Sequence, residues 1–270
     1  MKPHNPAPMH PIPRHGLPPY RVALIHGGPG GAGQLAPVAR ILASKRGILE
    51  PHQSARSVEG QLEELHTQLL STEEGPFQLV GHSWGAWLAF MFAATHPGLV
   101  EKLILVSAGS FDPAHAEQLS RARGRKLHQH ERDLMARIER ALQTREHPPA
   151  WAWHRLLEIS LKADSYACLP DMGDKIPPQW DVFLPVWQEA AALRASGELL
   201  AFGELIDLPV VAIHGEDDPH PWTGVAEPLG QVLEQFEMYR LPRCGHYPWK
   251  ERFAREAFFA RLEEALDGTL

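Results

Sequence analysis

The sequence predicts an α/β fold: a mostly parallel central sheet flanked by helices, with a helical insertion between two of its strands. Three observations predict it. Aliphatic runs of four to six residues alternate with stretches of helical apolar spacing, the pattern that parallel strands with crossover helices produce. Several of the runs end in glycine, as a strand does where it opens into a loop. The alternation stops between about Asp112 and Gly203, where helical patterns continue without a convincing strand, and then resumes.

Residues 1–20 hold seven prolines and read as an extended, polyproline-like arm, because proline fixes φ and supplies no backbone donor. Arg21–His26 is a short aliphatic strand running into the glycine loop Gly27-Gly28-Pro29-Gly30-Gly31. Gln34–Ala43 has helical spacing, and Gly47–Glu50 is a second short strand. Val58, Leu62, Leu65 and Leu69 lie on one face of a helix. Pro76 precedes a strand over Phe77–Val80 that ends at Gly81. Trp84–Thr95 is apolar all round and reads as a helix buried on most sides; His96-Pro97-Gly98 stops it, and Lys102–Val106 is the next strand. After the insertion come a strand over Leu208–His214, a helix over Val225–Phe236, a strand over Glu237–Leu241 and a last helix over Arg252–Leu266. The expected organisation is an arm over 1–20, a core over 21–111 and 204–270, and a helical insertion over 112–203.

Composition narrows the function. A chain of 270 residues with 44% hydrophobic and 22% charged residues is long enough to bury a core without disulfide or metal staples. Its formal charge of −7 repels a phosphate backbone, so nucleic acid is not expected as a partner. The longest apolar run, Ala86–Ala94, has nine residues against the ~20 needed to span a bilayer, so no membrane is expected either. Cys168 and Cys244 are too few for a disulfide framework, and the proline-rich start is not a signal peptide; the expected location is the cytoplasm. His4, His10 and His15 lack regular metal-ligand spacing, and no metal or cofactor is expected. The basic stretch 121–145 carries a stripe of Leu127, Leu134, Ile138 and Leu142, the mark of a solvated amphipathic helix.

In open parallel sheets, ligands bind beyond the carboxyl ends of the strands. After the third strand stands Gly81-His82-Ser83-Trp84-Gly85, a G-x-S-x-G sequence between a strand and a helix. A serine on such a sharp turn is exposed at a helix start, and the flanking glycines let neighbouring chain approach closely. A hydroxyl needs a base to take its proton and a carboxylate to orient that base. Asp218 follows the strand at Leu208–His214, and His246 follows the strand at Glu237–Leu241; one helix and one strand separate them, which returns both to the same sheet edge. Asp217 and Asp112 are the alternatives for the acid. His26 and His214 end strands and read as shaping loops, and His82 reads as packing. One oxyanion donor is the N–H of Trp84, next after the nucleophile, and the other comes from the loop His26–Gly30. That loop lacks the G-x-x-x-x-G-K-[ST] of a phosphate cradle, and Pro29 inside the glycine pattern argues against a dinucleotide site.

These residues carry a resemblance. The order Ser83, Asp218, His246 is that of the α/β-hydrolases, and the HGGPGG loop with GHSWG resembles the proline iminopeptidase-like serine hydrolases of that superfamily over residues 21–110 and 208–270. The resemblance implies an α/β-hydrolase fold with abbreviated leading strands, Ser83 as nucleophile, Asp218 as acid, His246 as base, Gly28 and Trp84 as oxyanion donors, and 112–203 as a helical cap over the site. Where such proteins carry Asp-x-Arg-Gly-x-Gly, this chain has Glu50-Pro51-His52-Gln53-Ser54. The implied activity is hydrolysis of a small ester or a short peptide or other amide through an acyl-enzyme; a carboxylesterase is the alternative. A non-hydrolytic relative is the alternative of another class: a lyase, a cofactor-free oxygenase or a ligand receptor. Trp151, Trp153, Trp180 and Trp187 suit an apolar acyl group or the insertion's own core equally. An aminopeptidase would also need an acid for the substrate ammonium, among Glu158, Asp164, Asp171, Asp174, Asp181 and Glu189.

Overall fold

A computed structural model describes residues 11–72, 74–143, 150–170 and 179–268. Of the positions singled out above, His4, His10, Asp171 and Asp174 lie outside the described residues, as does the whole first half of the arm. The strands are β1 (Arg14–His15), β2 (Val22–Ile25), β3 (Ile48–Leu49), β4 (Phe77–His82), β5 (Val100–Val106), β6 (Val210–Gly215) and β7 (Phe236–Leu241). The helices of the first half are α1 (Ala36–Leu42), α2 (Val58–Leu70) and α3 (Trp84–Thr95). The insertion contributes α4 (Ala116–Lys126), α5 (Gln129–Gln143), α6 (Ala150–Asp164), α7 (Trp180–Ser196) and α8 (Glu198–Ala201), and the last two are α9 (Thr223–Val232) and α10 (Arg255–Asp267).

The strands form one sheet in the order β1-β3-β2-β4-β5-β6-β7. All neighbours are parallel except β1, which runs antiparallel to β3. Side chains alternate across the sheet, and the register turns that alternation into two continuous rows. Leu24, Val80, Ile104 and Val211 are aligned on neighbouring strands and face α1 and α10. Ile25, Leu105 and Ala212 lie one residue further on and face α2, α3 and α9. Both faces are covered, which is why these strands read as unbroken aliphatic runs. Helix α3 is buried from Trp84 through Ala94, as its unbroken apolar sequence predicts.

The arm differs from its expectation over Arg14–His15, which add an edge strand rather than continuing a polyproline stretch. These two residues follow Pro13 and have backbone N–H groups; the N–H of Glu50 donates to the carbonyl of Pro13 at 3.0 Å, and His15 Nε2 lies 3.0 Å from the Glu50 carboxylate. Strand β5 starts at Val100, earlier than its apolar run suggests, because Val100 already pairs with Phe77 across the edge of β4. The insertion is helical throughout its regular described elements. It has small apolar clusters of its own, one of Leu127, Met135, Ile159 and Ala163 and one around Trp180. No helix among the described residues is long and apolar enough to cross a membrane.

Candidate active site

Ser83 occupies the one-residue turn between β4 and α3, with φ 54° and ψ −115°. A positive φ is costly for a residue with a Cβ and persists only where the surroundings impose it. Here they do. The N–H of Ser83 donates to the carbonyl of Val106 on β5 at 3.0 Å, and its carbonyl accepts from Ala86 N at 3.1 Å. A Cβ on Gly81 would stand 2.2 Å from the carbonyl oxygen of Gly85, and one on Gly85 would stand 2.2 Å from that of Ile25. The two glycines are therefore what lets α3 begin directly against the ends of β2 and β4.

The other strand ends bring their residues to the same place. Ser83 Oγ lies 3.0 Å from His246 Nε2, and His246 Nδ1 lies 2.8 Å from Asp218 Oδ2. The backbone N–H of His246 donates to the carbonyl of Asp164, at the end of α6, at 2.7 Å. Burial acts to lower the proton affinity of His246, but the buried Asp218 carboxylate beside it outweighs this and raises it above the ordinary histidine value. Burial alone would raise Asp218; the imidazoles of His246, His220 and His214 hold it well below the usual carboxylate range. A serine, an imidazole and a carboxylate are thus connected in one chain of hydrogen bonds, the arrangement that lets a hydroxyl lose its proton as it attacks.

The alternative acids stand elsewhere. Asp112 pairs with His115 at 3.4 Å and accepts from Ala114 N at 2.8 Å, while the backbone carbonyl of Asp217 accepts from Lys126. Gly28 has φ +42°, and a Cβ there would meet nothing within 4 Å, so this position favours glycine for its backbone angle. Its neighbour's N–H is already used: Gly27 N donates to Gln34 Oε1 at 2.9 Å. Trp84 opens α3, where the first N–H groups of a helix have no intrahelical acceptor.

The flanking histidines tie loops together. His26 accepts from Gln53 N on its Nε2 at 3.2 Å and contacts the Gly27 carbonyl through Nδ1 at 3.1 Å; burial brings its pKa down to about 4, so it is neutral. His82 packs against His246, Tyr247 and Trp249, and its ring nitrogens lie 3.2 Å from Gln34 Oε1 and 2.9 Å from the His246 carbonyl. His214 donates to the His220 carbonyl at 2.9 Å.

Three features escaped the reading of the sequence. His220 stacks on His246 and meets Asp218 Oδ1; the local signal is an aspartate two residues before it, the spacing of an Asx turn. Glu251, fully buried, accepts from Tyr166 N, Ala167 N and Gly245 N at 2.7, 2.7 and 3.0 Å, joining the insertion to the loop that carries His246. Arg123 of α4 grips Asp164 through Nε and Nη2 at 2.7 and 2.8 Å. No local pattern announces either of these, because Asp164 lies 41 residues from Arg123 and Tyr166 lies 85 from Glu251. Burial pushes the Cys244 thiol up, as suits a packed, unreactive cysteine.

Of the acids named for a substrate ammonium, each described one is engaged. Asp164 pairs with Arg123, Glu158 with Arg155, Asp181 with Arg56, and Glu189 accepts from Val58 N. The insertion's aromatics divide: Trp187 stacks on Trp87 of α3 at 5.9 Å and Trp180 on Phe183 at 5.2 Å, whereas Trp151 is 64% exposed. Among the described residues, Asp218, His220 and His246 are the one group whose donor atoms gather within 4.8 Å, as a metal would require. Both Nδ1 atoms already face the carboxylate, so a cation would have to displace their protons.

The profile of the alpha/beta hydrolase family matches residues 22–261, and the chain belongs to that family. Its structure is similar to that of VinJ, at 16% identity over 95% of this chain and 94% of that one, with a TM-score of 0.67. It is also similar to a proline iminopeptidase of Mycobacterium smegmatis, at 17% identity over 95% and 94% of the two chains, TM-score 0.61. A third similar structure is the 2-hydroxy-6-oxo-6-phenylhexa-2,4-dienoate hydrolase of Rhodococcus sp. strain RHA1, at 17% identity over 93% and 92%, TM-score 0.61. Among curated proteins, nothing matches the chain.

Proposed function

We propose that this member of the alpha/beta hydrolase family is a serine hydrolase that cleaves an ester or amide bond of a small substrate through an acyl-enzyme. The observation that carries the reading is the hydrogen-bonded run from Ser83 Oγ through His246 to Asp218. Ser83 Oγ attacks the carbonyl carbon while His246 Nε2 takes its proton, and Asp218 stabilises the imidazolium so formed. The N–H groups of Gly28 and Trp84 receive the negative oxygen of the tetrahedral intermediate. His246 returns the proton to the leaving group, and water, deprotonated by the same imidazole, releases the acid. In this reading the helices of 112–203 form a cap that shapes the acyl pocket, and no cofactor takes part.

The HGGPGG loop favours a substrate like that of a proline iminopeptidase. A specific observation favours the second reading, a carboxylesterase: every described acid of the insertion considered for a substrate ammonium is held by a guanidinium or a backbone N–H. The two are separated by comparing kcat/KM for a prolyl arylamide and a short aryl ester, with Ser83→Ala as the blank. Cleavage of the amide that is abolished by blocking its amine supports the iminopeptidase; turnover of the ester alone supports the esterase.

A further inference from the structure

The carboxylate of Asp218 does not serve His246 alone. Its Oδ2 meets His246 Nδ1 at 2.8 Å, and its Oδ1 meets His220 Nδ1 at 3.0 Å. The same Oδ1 accepts the backbone N–H of His220 at 2.9 Å. The two imidazoles lie against each other, with centroids 4.5 Å apart and planes 27° apart. His214 fixes the segment from the β6 side, donating to the His220 carbonyl at 2.9 Å and standing 3.4 Å from Asp218 Oδ2. The result is one buried carboxylate with an imidazole on each oxygen, only one of which faces Ser83.

A carboxylate stabilises an imidazolium through the charge on the oxygen that faces it, and each N–H given to the other oxygen draws some of that charge away. A second imidazole in contact with the first also opposes a second positive charge, so the pair takes up one proton well before another. Resting on the reading of Ser83, His246 and Asp218 as nucleophile, base and acid, we infer that His220 is a positioning residue: it divides Asp218 between two stacked imidazoles and so weakens the hold of His246 on its proton. A base whose affinity for the proton lies nearer the working pH is free to accept one from Ser83 in a larger share of molecules. The other groups facing the pair are Arg123 of α4 with its partner Asp164 of α6, His82 at the end of β4, His214 of β6 and Tyr247. All of them remain when His220 is replaced.

Two substitutions separate this role from that of a ring that fills space. His220→Phe keeps a ring against His246 and removes the Nδ1 donor. His220→Asn removes the ring and places an amide N–H where Nδ1 was. The readouts are the pH profile of kcat/KM with an aryl ester and a 15N-histidine NMR titration of His246 in the resting protein, with His246→Gln used to assign its signals. In His220→Phe, the acid limb and the His246 titration are expected to rise together by about half to one pH unit, and His220→Asn is expected to bring both back toward wild type. An unmoved titration in His220→Phe, or equal shifts in the two variants, overturns the inference. The NMR titration reads the sharing of Asp218 whether or not Ser83 turns over an ester, so failure of this inference and failure of the hydrolase reading give different results.

Discussion

In the sheet, the residues of the site stand where the backbone leaves them little choice: Ser83 is held at positive φ by Val106 and Ala86, and Asp218 and His246 follow adjacent parallel strands. In the insertion, by contrast, α7 and α8 pack into the main core through Val182, Val186, Ala190 and Leu199, while α4 to α6 gather small apolar clusters and reach the site through a few ties. Asp164 meets His246 N and Glu251 holds Tyr166 and Ala167, while Trp187 of α7 stacks on Trp87. The difference teaches a division of labour. Main-chain geometry at the strand ends fixes Ser83, Asp218 and His246, while α4 to α6 meet them through the Asp164 carbonyl and the loop that Glu251 braces.

The largest effect that would sharpen this contrast falls on the sheet side. Asp218→Asn is expected to lower kcat about 10³- to 10⁴-fold while leaving the fold intact by circular dichroism. The wild-type acid limb also has a definite sign. In the proposed mechanism His246 must be neutral to act, and Asp218 raises its affinity for the proton, so kcat/KM should fall as pH drops through a value above 6.5. For stability the signs differ. The His246 contribution is present below its unfolded value and is lost as pH rises through the raised folded value. The Asp218 contribution is present above its unfolded value and is lost as pH falls through the depressed folded one.

A smaller effect is expected behind the ties, at the ion pair between α4 and α6. Arg123→Ala leaves the Asp164 carboxylate buried without its partner, a change that costs about 3 kcal/mol and should lower the thermal midpoint by several degrees. If Arg123→Ala instead melts like wild type, the pair does not brace α4 against the end of α6. Smallest of all is Trp151→Ser on the exposed face of α6, which should change stability by no more than about 0.5 kcal/mol and leave kcat/KM within twofold. A large loss there would make the insertion's outer surface part of the binding machinery and break the contrast.

What the sequence discloses follows the same division. Strands buried on both faces leave aliphatic runs, and a serine forced through positive φ requires glycines at fixed offsets, so Gly81, Ser83, Gly85 and the alternation around them are legible. Asp218 and His246 are legible because strand ends are predictable places. Glu251, Arg123 and Asp164 are not, since a buried charge is recognisable only from its partner, and these partners are brought together by the insertion's packing. His220 lay between the two cases: its turn with Asp218 is local, but its stack on His246 depends on where β7 ends. The arm's two-residue strand was hidden by the prolines on either side of Arg14–His15.

The most direct test of the central claim is covalent labelling of the folded protein by a fluorophosphonate, with the modified residue located by mass spectrometry, in wild type and in His246→Ala. The account predicts a single adduct on Ser83, formed at least about 100-fold more slowly without the imidazole. Labelling at another residue, or at Ser83 with an unchanged rate in His246→Ala, would contradict it.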